Sequence, residues 1–198
     1  MVAARTGRKL NNSLTLTFKT SPTDTLATAV QKGSAGVLLG FKNGGAGKYV
    51  ISGGNGEITV NCAAKRTSVS SGSGQTIGWI EKEETGDGAI SRADGTVAAR
   101  VVGHPEGQRK DSTWPYQLTD HQGQPLGTLT WMRTGATFDL VGELTDMSIW
   151  WDRAGAPLKV PSLGVHLALD HPVDATTGDL LLGACVDLSL GSHSFIRP

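Results

Sequence analysis

The sequence is poor in cysteine, in aromatic rings and in net charge. Its two cysteines, Cys62 and Cys185, lie far apart, and neither sits in a metal-binding motif. Both are expected as reduced thiols, Cys185 as a small core hydrophobe. No metal and no cofactor is expected. Lysine plus arginine and aspartate plus glutamate each total 18. A dedicated nucleic-acid binder carries a basic excess to neutralise phosphates, so that class is excluded, although a local basic patch is compatible with the totals. The opening MVAARTGRKLNNS has basic residues with no apolar stretch after them. It does not read as a secretory signal, and the expected location is cytoplasmic or peripheral to a membrane. A long hydrophobic run is also missing. The most apolar segment runs from Leu180 to Leu190 in DATTGDLLLGACVDLSLG and includes Asp187. At ~1.5 Å per residue it covers about half of a ~30 Å hydrocarbon layer, so no transmembrane span is expected.

What the chain does have is glycine, 27 residues in 198, placed where a β-rich fold would reverse direction. Residues 1–12 read as a flexible basic arm and 13–198 as a single domain. KYVISGGNGEITV (48–60), GAISRADGTVAARV (88–101), YQLTDHQGQPLGTL (116–129) and SIWWDRAGAPLKV (148–160) share one plan: an apolar stretch, a polar turn with glycine, a second apolar stretch. That is the hairpin signature, and the NG at 55–56 and DG at 94–95 predict type I′ turns. GVLLGF (36–41), TIGWIEKE (76–83), TLTWMR (128–133) and ATFDLVGEL (136–144) read as further strands. SVSSGSGQ (68–75) and HPEGQRKDSTWP (104–115) read as loops.

One helix is predicted, at about 175–189. Asp174 or Thr177 can cap it, and Asp179 would suit the positive end of its dipole. Leu180, Leu181, Leu182, Ala184, Cys185, Val186 and Leu188 leave almost no polar face. A helix apolar all round must be enclosed on all sides, and a barrel of hairpins supplies the walls. Aspartate at Leu182 or at Val186 is therefore expected to abolish folding.

The D-x-x-G hairpins, in YQLTDHQGQPLGTL and SIWWDRAGAPL, together with IGWIE at 77–81 and the ending LALDHPVDATTGDLLLGACVDLSL at 167–190, carry a resemblance. The chain resembles the tubby C-terminal-like superfamily, which includes tubby domains, phospholipid scramblases and the LURP-one-related proteins. The resemblance covers roughly residues 36–195. It implies a closed antiparallel β-barrel of hairpins enclosing one apolar C-terminal α-helix. It does not imply one activity, since tubby domains bind phosphoinositide headgroups and scramblase relatives are linked to bilayers and calcium. The corner after Leu169 departs from the family pattern: no Gly separates Pro172 from Val173, and the aromatic residue often seen just after the corner Asp174 is absent, with TTG at 176–178 instead. No family headgroup motif aligns, so no site residue is carried over.

Catalytic motifs fail on inspection. SSGSG at 70–74 lacks the first glycine of a nucleophile elbow, and GFKNGGAGKY at 40–49 lacks a phosphate loop's first glycine and its hydroxyl ligand. EKEETGDG (81–88) lacks alternate calcium ligands. His104, His121, His166, His171 and His193 make no metal spacing. The candidate contacts are two basic pairs, Lys65 with Arg66 and Arg109 with Lys110, which can hold an anionic headgroup. The adjacent Trp150 and Trp151 must point to opposite faces of a strand, so one would face outward. The expectation is a non-enzymatic binding module whose partner is an anionic phospholipid or an unknown protein. The alternatives are a protein-interaction or regulatory domain without lipid affinity, and an enzyme or small-ligand carrier. A helix in the lumen argues against the last.

Overall fold

The computed structural model describes residues 15–20, 24–32, 47–53, 56–63, 65–82, 87–103, 113–133, 146–151 and 163–189. Within them the chain is mainly β with one C-terminal helix. The strands are β1 (Thr15–Lys19), β2 (Thr25–Lys32), β3 (Gly47–Gly53), β4 (Gly56–Cys62), β5 (Arg66–Ser71), β6 (Thr76–Lys82), β7 (Gly88–Arg92), β8 (Val97–Gly103), β9 (Thr113–Thr119), β10 (Pro125–Arg133), β11 (Asp146–Trp151) and β12 (Leu163–Leu169). The helix, α1, is Ala175–Ser189, where the sequence placed it. All pairings are antiparallel, in the order β1-β11-β12-β10-β9-β8-β7-β6-β5-β4-β3-β2, and β2 pairs back with β1.

The strands obey period-two burial because one face meets the helix and the other meets solvent. Tyr49, Ile51, Ile58, Val60, Val69, Ile80, Ile90, Ala99, Val101 and Tyr116 are buried, alternating with exposed or half-buried neighbours. In α1, Leu180, Leu181, Ala184, Cys185 and Val186 are 0–2 % exposed. The helix packs on β4, β5, β6, β7, β11 and β12, so it is walled from several directions, as its lack of a polar face requires. Burying each leucine or valine completely stabilises by roughly 1.5–3 kcal/mol. Two glycines set the spacing. A Cβ on Gly78 of β6 would stand 2.7 Å from Leu180 Cδ2, and one on Gly183 of α1 would stand 2.7 Å from Val69 Cγ2. Both contacts are too tight for any larger residue without a shift.

Three hairpin turns are built alike. Gly74 donates to the Ser71 carbonyl, Gly95 to Arg92 and Gly123 to Asp120, at 2.9, 2.9 and 3.1 Å. All three glycines have positive φ, between 80 and 87°. The backbone N–H groups of Ser71, Arg92 and Asp120 bond the carbonyls of Gln75, Thr96 and Gln124. These are three-residue loops closing on a left-handed glycine, which ordinary side chains rarely adopt. The DG at 94–95 therefore belongs to this longer loop and not to a two-residue type I′ turn. Asp94 braces it by accepting from the Thr96 N–H and hydroxyl at 2.9 and 2.7 Å.

Several sequence expectations are corrected. SVSSGSGQ is not one loop: Ser68 to Ser71 belong to β5, and only the following residues turn. Serine is a poor strand signal, but Thr67 and Val69 bury the alternate positions and fix the register. Trp114 and Pro115, read as the end of a loop, lie inside β9 opposite Trp131 and Thr130. Residues 104–112 lie outside the described residues. Residues 13–35, left unassigned by the sequence, contain β1 and β2. Of the hairpin read within 148–160 only 148–151 are described; they belong to β11, which pairs with β12 in the register Asp146↔Ala168 to Trp151↔Leu163. Residues 1–12, 36–41, 136–144 and 152–162 lie outside the described residues. Asp179 lies beyond the first helical turn, which holds no acidic residue.

Candidate functional site

Both ends of α1 are tied to the strands by polar side chains. At its start Asp174 is the N-cap: its Oδ1 accepts from the Thr177 N–H at 3.1 Å, and its Oδ2 from the Thr177 hydroxyl at 2.7 Å. A short oxygen at that position satisfies one of the helix's orphan donors, typically worth ~1 kcal/mol. Arg92, at the end of β7, donates to Asp174 Oδ2 at 2.7 Å and to Thr177 Oγ1 at 2.9 Å. Burial pushes the Asp174 carboxyl up, but the hydrogen bonds from Thr177 and Arg92 outweigh it and hold the group below the usual range. Near the other end, Thr67 of β5 donates to Asp187 Oδ1 at 2.9 Å, and both residues are buried. The Thr67 hydroxyl also accepts from the Ala63 N–H at 3.4 Å. Asp187, the one charged residue in the apolar run, is thus drawn inward to a partner 120 residues away in sequence.

The interior carries little chemistry within reach of solvent. Tyr49 is raised by burial and by Cys62 beside it, and Tyr116 is pushed up by burial to about 12. Burial likewise raises Cys185, and both cysteines are buried. Neither thiol is poised as a nucleophile in such surroundings. Among the described residues, no three of His, Cys, Asp and Glu come together as metal ligands. Also among these residues, no helix is long and apolar enough to cross a membrane.

The outer face holds the predicted contacts unevenly. Lys65 and Arg66 are both exposed. Arg66 already has partners: its Nε lies 3.2 Å from Glu81 Oε1, its cross-strand neighbour, and its guanidinium sits 4.4 Å from the centre of the Trp79 ring. Half of this basic pair is therefore locally balanced, and Lys65 remains. Arg109 and Lys110 lie outside the described residues. Trp150 and Trp151 are in β11, where Trp150 is opposite Thr17 and Gly164 and Trp151 is opposite Leu163. Sequence reasoning missed two cations on the same face. Lys32 of β2 and Lys48 of β3 are exposed and directly opposite each other. Lys48 precedes the buried Tyr49, which was a signal that it faces out, but nothing in the sequence pairs the two lysines.

Comparison with protein-family models, with curated proteins and with solved structures finds no match.

Proposed function

We propose that this chain is a tubby-like, non-enzymatic binding module. In this reading it is a closed β-barrel plugged by its own helix, engaging anionic lipid headgroups at a membrane surface through its outer face. The observation that carries the reading is the filled interior. Leu180, Leu181, Ala184, Cys185 and Val186 occupy the space a small ligand would need, and each is 0–2 % exposed. A fold with its lumen filled recognises partners on the outside. The outer face supports a headgroup reader because cations stand there beside half-buried rings and aliphatic side chains. Lys65 is exposed, and Arg66 lies across Trp79. Charge-assisted hydrogen bonds from such groups attract phosphate at a bilayer surface.

The test is co-sedimentation with phosphatidylcholine vesicles and with vesicles containing phosphatidylserine or phosphatidic acid, at low and physiological salt. The expected result is pelleting with the anionic vesicles alone, weakened at physiological salt, where exposed charges are screened beyond ~8 Å. Pelleting that ignores salt would indicate an apolar contact instead. No pelleting under any condition would remove the lipid reading and leave a protein-interaction domain.

A further inference from the structure

Resting on that membrane-surface reading, we infer that Lys32 and Lys48, with Asn61 beside them, form the site that accepts the headgroup phosphate. The pairing register brings the three together. Lys32 is directly opposite Lys48 across β2 and β3, and Lys48 is directly opposite Asn61 across β3 and β4. All three are exposed. Directly opposed residues have Cβ atoms about 4.5–5.5 Å apart, where like charges repel and destabilise the sheet. Sheets ordinarily answer such a lysine with a carboxylate. Here the ion pairs among the described residues lie elsewhere, at Arg66 with Glu81 and Arg92 with Asp174. The next described positions on the same face are Val30, Val50 and Thr59, all half-buried and uncharged.

Two lysines directly opposite each other, with no ion pair to a carboxylate among the described residues, are unfavourable alone and favourable around a dianion. A phosphate monoester carries about −1.5 to −2 charges at neutral pH and three strong acceptor oxygens. Each ammonium brings three donors, and the Asn61 amide brings two, one of which is engaged with Ser68 Oγ at 3.4 Å. Val30 and Val50, the next residues on this face, are half-buried apolar neighbours of the kind lysine stems can lie along while their charged ends stay in water. Arg66 is a poorer anchor because Glu81 already answers its charge. The occupant is therefore the phosphate of a membrane lipid with an exposed monoester, as in phosphatidic acid.

The experiment uses the full chain, with Lys32→Gln and Lys48→Gln as variants and Arg100→Gln, at an exposed cation of β8, as control. Thermal unfolding is followed in inorganic phosphate and in chloride at equal ionic strength. Co-sedimentation is run with phosphatidylcholine vesicles with and without phosphatidic acid. In chloride the two variants are expected to melt at or above the wild-type temperature, because repulsion is relieved. They should also lose the extra stabilisation given by phosphate and bind phosphatidic-acid vesicles about tenfold more weakly, while Arg100→Gln keeps the phosphate effect. Wild-type vesicle binding that both variants retain in full would overturn the site and leave the membrane reading standing. Phosphate stabilisation without vesicle binding would overturn the lipid as occupant. Neither effect in the wild type would overturn both. Variants that melt well below wild type in chloride would show the lysines to be structural and also overturn the site.

Discussion

Two glycines in the same helix should respond to the same substitution with opposite signs. Replacing a helical glycine by alanine restricts the unfolded chain and stabilises by roughly 0.5–1 kcal/mol where space permits. At Gly178 an added Cβ meets nothing within 4 Å, so Gly178→Ala should show that gain. At Gly183 the Cβ would stand 2.7 Å from Val69 Cγ2, 3.5 Å from Ile80 Cδ1 and 3.6 Å from Val60 Cγ2. None of these neighbours can swing aside easily. All three are 0–1 % exposed, and valine is stiff at its first torsion. Overpacking of this kind costs ~1–3 kcal/mol, more than the helix gains. Gly183→Ala should therefore destabilise by about 1 kcal/mol, leaving the two variants roughly 1.5–2 kcal/mol apart. For a chain of this size that separates their melting temperatures by about 5 °C. Urea denaturation should show the same gap as a shift in midpoint at a shared slope. If Gly183→Ala stabilised as much as Gly178→Ala, α1 would not lie against β5, and the packing described above would be refuted.

Two further perturbations probe the helix. Val186→Asp places a charge at a fully buried position, which costs several kcal/mol, and should abolish cooperative folding in circular-dichroism melts. Leu182→Asp should be milder, because Leu182 is only partly buried, and a soluble, cooperatively melting Leu182→Asp beside an insoluble Val186→Asp would verify the helix orientation. Asp179 tests the pH dependence: burial raises its carboxyl above the usual range. Below the unfolded value of ~3.9 the group is neutral in both states and has no effect, and as pH rises through the folded value its ionisation weakens the fold. Asp179→Asn should therefore raise the melting temperature at neutral pH and change nothing near pH 3. An equal gain at both pH values would refute the burial argument.

The functional reading depends on the same distinction between what one segment states and what neighbours decide. Lys65 and Arg66 stood out because they are adjacent in sequence, yet the sheet gives Arg66 a carboxylate and a ring. Lys32 and Lys48 drew no attention, because strand pairing alone makes them neighbours.

The sequence by itself determined the local elements whose energetics are local. Asp174 and the unbroken apolar run to Val186 specify a helix and its start, since the cap and the burial pattern act within a few residues. Glycines at 95 and 123 mark chain reversals because only their backbone tolerates the left-handed turn. Tertiary structure decided what depends on partners distant in the chain. A serine-rich stretch became β5 because Thr67 and Val69 meet the core. Leu163–Leu169 pairs with β11. Asp187 turned inward to Thr67, and two exposed lysines came face to face across β2 and β3. A strand's register is fixed by its neighbours and by the face it buries, and neither is written in the strand itself.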